Sequence, residues 1–211
     1  MVAWKWLAIL CSLAFLYTTP WDNYLVHRGV WSYGLDRVVG TIGYVPVEEY
    51  LFFILQTIMT GLWTAFLLGR RGFRQSSADE SPGWGRYAYT SFWIALTLVG
   101  VVMSMGTQSH YMGLILAWAS PVLAGMAWMS TDLFWDHRHI WALGIAGPTL
   151  YLWGADRIAI GLGIWDISNV FSFGIDPLGL PVEEAIFFLV TNVLVVQGYL
   201  MLLSRDVVIT Q

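Results

Sequence analysis

Two pairs of adjacent glutamates stand at the head of two apolar runs. Residues 46–53 read Pro46-Val47-Glu48-Glu49-Tyr50-Leu51-Phe52-Phe53, and residues 181–188 read Pro181-Val182-Glu183-Glu184-Ala185-Ile186-Phe187-Phe188. Six of these eight positions are identical. Paired carboxyls can move protons, one as acid and the other as base. Neighbours on a helix point about 100° apart, so at least one glutamate of each pair turns toward the protein interior. Glu48 and Phe52 are four positions apart, as are Glu49 and Phe53, Glu183 and Phe187, and Glu184 and Phe188. Each acid therefore shares a helix face with an aromatic ring. Such a ring can stabilise a cation formed by the acid's proton.

The plainer role is a helix start. Proline suits the first turn, and acidic residues there complement the helix dipole. Two adjacent acids exceed what the dipole needs, and ionisable groups in membrane segments are costly and mark sites or pathways. Two effects compete over their protonation. The helix N-terminus favours the anion, while low dielectric and a like-charged neighbour favour the neutral acid. The expectation is one acid per pair that is easier to protonate, the condition for general-acid work.

The correspondence extends upstream. Asp22 precedes Trp31 by nine residues, and Asp156 precedes Trp165 by nine. Trp31 lies 15 before Pro46 and Trp165 lies 16 before Pro181. Asp22 and Asp156 are supporting candidates, either accepting hydrogen bonds at a cavity mouth or capping a helix. Trp31 and Trp165 join the candidate ligand wall.

The double motif, each copy opening a Phe-Phe helix, resembles the integral-membrane lycopene cyclases, which occur as two small subunits or one fused chain. The resemblance covers nearly the whole chain and implies a fused form. It implies a linear C40 polyene such as lycopene as substrate. It also implies non-redox chemistry: protonation of a terminal alkene, ring closure on the cation, and loss of a ring proton to give gamma-carotene and then beta-carotene. Glu48, Glu49, Glu183 and Glu184 are the candidate acids and bases. Phe52, Phe53, Phe187 and Phe188 are the candidate wall. A sister reading is a cyclase of C50 prenylated carotenoids, which the residues do not separate from the C40 one. A rival of another class is a proton-coupled transporter, since repeats with buried acids are common in those folds.

Composition supplies the setting. The 211 residues are 57% hydrophobic and only 11% charged, against about 25% charged in soluble domains. The bilayer is the expected solvent, and a multi-pass protein of the cell membrane the expected location. The net charge of −4 is spread along the chain, which excludes a basic patch for nucleic acid. A single cysteine, Cys11, excludes an intrachain disulfide and a cysteine metal cluster. No Gly-x-Gly-x-x-Gly joins a strand to a helix, so no nucleotide cofactor is expected. No metal is expected either. The expected partners are an apolar polyene and lipid, with a homo-oligomer or carotenoid-pathway enzymes as further candidates.

The predicted architecture is an all-α polytopic membrane protein. Six spans are expected, near 2–18, 46–69, 87–105, 112–130, 139–154 and 181–203. The stretch 155–165 either extends the fifth or makes a seventh element. Lys5 and an apolar run to Tyr17 resemble a signal peptide, but no small-residue cleavage site follows, so this segment reads as a retained helix. Equivalent helices lie four spans apart, so the two repeats are expected to run parallel. The halves divide as 1–105 and 106–211 within one membrane unit. The connector 70–86 carries Arg70, Arg71, Arg74, Arg86, Ser76, Ser77, Asp79, Glu80, Ser81 and Pro82. Its arginines place it in the cytoplasm and both glutamate pairs near the outer face.

Other polar residues are weaker candidates. Asp132 through His139 is a dense cluster that reads as a solvated loop, because a second acidic cluster for magnesium diphosphate is missing and the histidine spacing suits no metal. His27, Arg28 and His110 read as interfacial. Thr57 matches Asn192, and both are candidates for bonds across helices.

Overall fold

Apolar runs punctuated by glycine and proline become six helices in the computed structural model, which describes residues 2–34, 36–73 and 83–209. Helix α1 (Trp4–His27) leads through β1 (Trp31–Tyr33), β2 (Thr41–Ile42) and β3 (Val45–Pro46) into α2 (Val47–Arg71). Helices α3 (Gly83–Met103) and α4 (His110–Asp136) follow as an antiparallel pair. Helix α5 (Arg138–Gly161) leads through β4 (Trp165–Ile167) and a short 3-10 turn (Pro177–Gly179) into α6 (Val182–Ile209). Among the described residues, four helices are long and apolar enough to cross a membrane: α2, α3, α4 and α6 over Val182–Asp206.

The helix ends explain how the chain reaches the glutamate motifs. Gly29 and Gly163 both sit at positive φ, at 72° and 65°, a conformation that costs glycine little. Each closes its helix in the same way. Val30 N donates to Leu25 O and Gly29 N to Val26 O after α1, while Ile164 N donates to Ala159 O and Gly163 N to Ile160 O after α5. These paired bonds satisfy the last carbonyls of both helices. The chain then turns into β1 and β4, which pair antiparallel with Trp31 opposite Ile167, Ser32 opposite Asp166 and Tyr33 opposite Trp165.

The core lies between α6 and the helices around it. Phe187, Phe188, Val190, Val193, Val196, Tyr199 and Leu200 of α6 are all buried. A polar network threads the same region. Gln56 Nε2 donates to Thr191 Oγ1 at 2.8 Å, Thr60 Oγ1 donates to Asn192 Oδ1 at 2.7 Å, and Asn192 Nδ2 donates to Thr149 Oγ1 at 3.0 Å. These bonds tie α2, α5 and α6 together. Where hydrophobicity cannot drive helix association in lipid, such bonds and close packing do.

Several expectations need correcting. The first helix runs past Pro20 to His27 rather than ending near residue 18, so Asp22 lies inside it. Of the two readings of 155–165 the first holds: the stretch extends the fifth helix to Gly161, and its remainder forms the turn and start of β4. Asp132 and Asp136 are helical, not in a loop, and His137, between α4 and α5, is buried. Arg86 belongs to α3 and pairs with Asp132 at 2.6 Å, which closes α3 onto α4. Thr57 Oγ1 donates to Phe53 O of its own helix, and Thr60, one turn on, makes the cross-helix bond. Arg74, Ser76, Ser77, Asp79, Glu80, Ser81 and Pro82 of the connector lie outside the described residues.

Candidate active site

Adjacent glutamates on one helix point in different directions, and the two helices use this in the same way. Glu48 is exposed, and its Oε1 accepts from Val39 N at 2.7 Å. Glu183 is fully buried, and its Oε1 accepts from Phe173 N at 2.8 Å. The first glutamate of each pair thus holds the loop that precedes its own helix. The second glutamate points elsewhere. Glu49 and Glu184 both line one small cavity of about 20 Å³, together with Asp156, Trp31, Tyr33, Trp165, Phe52, Phe187 and Phe188.

Two acids from distant parts of the chain are therefore brought to one place. The β1–β4 pairing positions Trp31, Tyr33 and Trp165 across its top. Contact between α2 and α6 brings the phenylalanines together below, with Phe52 and Phe188 edge to face at 6.0 Å and Phe187 and Phe188 at 5.3 Å. Phe53 is buried but turns away, against Tyr50 at 6.1 Å and into a neighbouring cavity. Among the candidate rings it alone does not face the acids.

Asp22 and Asp156 sit in the last turns of α1 and α5, and neither caps a helix. Both are buried. Asp22 lies within electrostatic range of Glu49, and Asp156 within range of both Glu49 and Glu184. Neither oxygen of Asp22 has a hydrogen-bond partner among the described residues. The oxygens of Asp156 are likewise without a formed bond, with the Trp165 indole as the neighbouring donor. Among the described residues no cation is paired with these four carboxyls, so the cluster is not a set of ion pairs. Among the described residues no cluster of histidine, cysteine or acidic side chains suits a metal.

Three aromatic features were not legible in the sequence. Tyr33 lines the cavity with its Oη unpartnered among the described residues. Its burial, and then the nearby Glu49, Asp22 and Glu184, push its phenol above the ordinary range, so it stays protonated as a donor. Tyr111 of α4 donates its Oη to Glu184 Oε1. Trp21 stacks on Phe187 at 5.7 Å and on Trp118 at 4.7 Å. Tyr111 and Trp118 lie outside both repeated stretches. Trp21 has Ala155 at the corresponding position, so the repeat did not flag it. Trp31 meets Trp21, Tyr111 and Phe187 edge-on at 6.0, 5.6 and 6.3 Å, which closes the wall.

Comparison with known proteins gives the family. No family model and no solved structure matches the chain. A lycopene beta-cyclase of Halobacterium salinarum is 43% identical over 202 residues, covering 92% of this chain and 80% of that protein. A bifunctional lycopene cyclase/phytoene synthase of Gibberella fujikuroi is 38% identical over 199 residues, covering 91% of this chain and 34% of the relative. Another bifunctional lycopene cyclase/phytoene synthase, from Sporisorium reilianum, is 36% identical over 202 residues, covering 91% of this chain and 29% of the relative. With relatives this similar along nearly its whole length, the chain belongs to the lycopene beta-cyclase family.

Proposed function

We propose that this protein cyclises the linear ends of lycopene to β-ionone rings, using Glu49 and Glu184 as the proton-handling pair. The observation that carries this reading is their convergence on one aromatic-lined cavity. Glu49 is the donor. No hydrogen bond to it is formed among the described residues, so its proton is free to go to substrate. Glu184 is the base. Tyr111 donates to one of its oxygens and holds the carboxylate in place.

The reaction balances without a redox step. Glu49 adds a proton to the terminal alkene of the end group and leaves a tertiary cation. The neighbouring alkene attacks that cation and closes a six-membered ring. Glu184 removes a ring proton, which restores an alkene as the β-ionone double bond. Asp156, between the two glutamates, returns the proton from Glu184 to Glu49. Trp31, Trp165, Phe52, Phe187 and Phe188 present ring faces or edges to the cationic stage, where cation–π attraction contributes about 0.5–2 kcal/mol per good contact. Glu48 and Glu183 are positioning residues that hold the loops over the site.

We read the architecture as a multi-pass membrane unit with two parallel repeats, α1–α2 and α5–α6, around the α3–α4 pair. Three facts support this. Helices α1 and α5 have 24 residues each, about 36 Å of rise, which exceeds the ~30 Å hydrocarbon core. Ser32 and Asp166, matched in the repeat, lie opposite one another in the strand pair. Gln56 and Thr191, also matched, bond to each other. A two-fold relation between the halves would put all these contacts on its axis. Because both motifs serve a single cavity, the two ends of lycopene react in turn through a one-ring intermediate. Family membership sets the transporter reading aside, and the named substrate of the relatives favours the C40 polyene over a C50 one.

The test is expression in a lycopene-accumulating host, with pigments separated by chromatography. Cyclic pigment appears if the reading is right. Unchanged lycopene in cells that make the protein refutes it.

A further inference from the structure

Next to the acid site lies a second and larger cavity, of about 260 Å³, between α1, α2, α4 and α6. Phe187 lines both cavities. The acid cavity, at about 20 Å³, holds little more than one water. An isoprenoid end group enters it only if a side chain moves, and Phe187 is the ring the two spaces share. We propose that the larger cavity binds the conjugated chain of the polyene substrate, with Phe187 turning aside to admit the end group to Glu49 and Glu184. This rests on the cyclase reading and names where the rest of the substrate lies.

Four observations select this occupant. The first is the lining, which is mostly apolar and aromatic, with Leu13, Tyr17, Trp118, Val122, Met126 and Phe187 among its residues. The second is that three of its polar residues, Gln56, Thr57 and Thr191, are engaged elsewhere. Thr57 bonds to Phe53 O, Gln56 to Thr191, and Thr191 to Phe187 O. A ligand in this space finds few polar partners, as suits a hydrocarbon. The third is a continuous aromatic stack. Of the lining rings, Tyr17 lies on Trp118 at 5.2 Å and Trp118 on Phe187 at 6.4 Å, with Trp21 stacked on both Trp118 and Phe187 outside the lining. A flat conjugated chain laid along this wall is led to the acids. The fourth is reach. The lining runs from Phe187 to Val195 on α6, eight residues and about 12 Å of helix.

A cavity of that reach and volume falls below the ~300–1,000 Å³ of sites that engulf a whole small molecule. It takes the segment next to the reacting end. The remaining chain leaves past α1, where Leu13 is 56% exposed and Tyr17 45% exposed. Tyr17 Oη donates to Trp118 O at 2.9 Å and bridges α1 to α4 at this opening.

The experiment compares lycopene with a short acyclic polyene that carries the same end group but stops before the opening. Leu13→Trp narrows the mouth at an exposed position, and Met126→Trp fills the interior. Both are assayed beside wild type in liposomes, with cyclic products resolved by chromatography. The expected result is a fall in kcat/KM for lycopene of about tenfold or more in both variants, with the short polyene kept within about threefold in Leu13→Trp, whose mouth it does not reach, and lost with lycopene in Met126→Trp, whose filled interior it must occupy. Retained turnover of the short polyene shows that Leu13→Trp folds. Lycopene turnover that is unchanged, or that falls in parallel with the short substrate in both variants, overturns the channel. A wild type that converts neither substrate overturns the proposed function itself, and with it the occupant.

Discussion

Tyr111 Oη donates to Glu184 Oε1, and Glu49, at the matching place in the first motif, has no such donor among the described residues. The two glutamates face one cavity but are not equivalent. Tyr111→Phe removes the donor and leaves the ring. Hydrogen bonds to charged groups contribute about 1.5–3 kcal/mol, so kcat should fall by about 10- to 100-fold. KM should change little, because Tyr111 bonds Glu184, the proposed base, rather than the substrate. Steady-state kinetics on reconstituted protein would separate the two parameters, and a rise in KM alone would contradict this role.

The glutamate pairs should divide cleanly on substitution. Glu49→Gln and Glu184→Gln each remove a proposed proton-transferring group, and kcat should fall by about 10²-fold or more. Glu48→Gln and Glu183→Gln keep an oxygen that can accept from Val39 N and Phe173 N. Both variants should retain activity within about tenfold of wild type, a far smaller loss than a general acid or base would show. Glu183→Gln should also alter thermal stability, because Glu183 is fully buried, whereas exposed Glu48 should not. Equal losses from all four changes would show that the loops and the acids act as one unit.

A single shared cavity implies reaction of one end at a time. A time course with limiting enzyme should show the one-ring pigment rise and then decay as the two-ring pigment accumulates. Direct appearance of the two-ring product, with no one-ring species at any enzyme level, would sink the sequential scheme.

Asn192 should matter for stability rather than chemistry. It accepts from Thr60 of α2 and donates to Thr149 of α5. Asn192→Ala leaves both hydroxyls without this partner. Cross-helix bonds in membranes average about 0.6 kcal/mol and reach about 1.7, so a loss in that range is expected. The readout is a lower Tm in detergent with kcat near wild type. Thr57→Ala, which loses only a bond to its own helix, should be milder.

Much of the site was legible because its signals are local. Proline followed by two acids starts a helix, and α2 and α6 do begin at Val47 and Val182. Spacing of four put Phe188 below Glu184, but below Glu49 it pointed to Phe53, which turns away, while Phe52, three positions on, lines the cavity. The repeat picked out Trp31, Trp165 and Asp156, all of which line the acid cavity. Asp22 was found by the same signal and lies buried beside Glu49. What failed did so for physical reasons. The polar stretch 132–139 reads as a loop by composition, but the Arg86–Asp132 pair and burial of His137 keep it packed and helical. Tyr33, Trp21, Tyr111 and Trp118 carry no motif, since an aromatic residue in a membrane helix is common in any context.

The amino-acid sequence alone determined that this chain has paired acids at two helix heads, rings one turn below them, and too little charge to fold in water. Those properties follow from residue type and from the fixed pitch of a helix. Only the tertiary structure decided which glutamate of each pair faces the shared cavity and which bonds the preceding loop. Helix pitch makes neighbours diverge but does not say which way the helix faces. That phase is set by packing: the Gln56–Thr191 bond, the Phe52–Phe188 contact and the Trp31–Ile167 strand register turn Glu49 and Glu184 inward together. The loop amides of Val39 and Phe173 then take up Glu48 and Glu183.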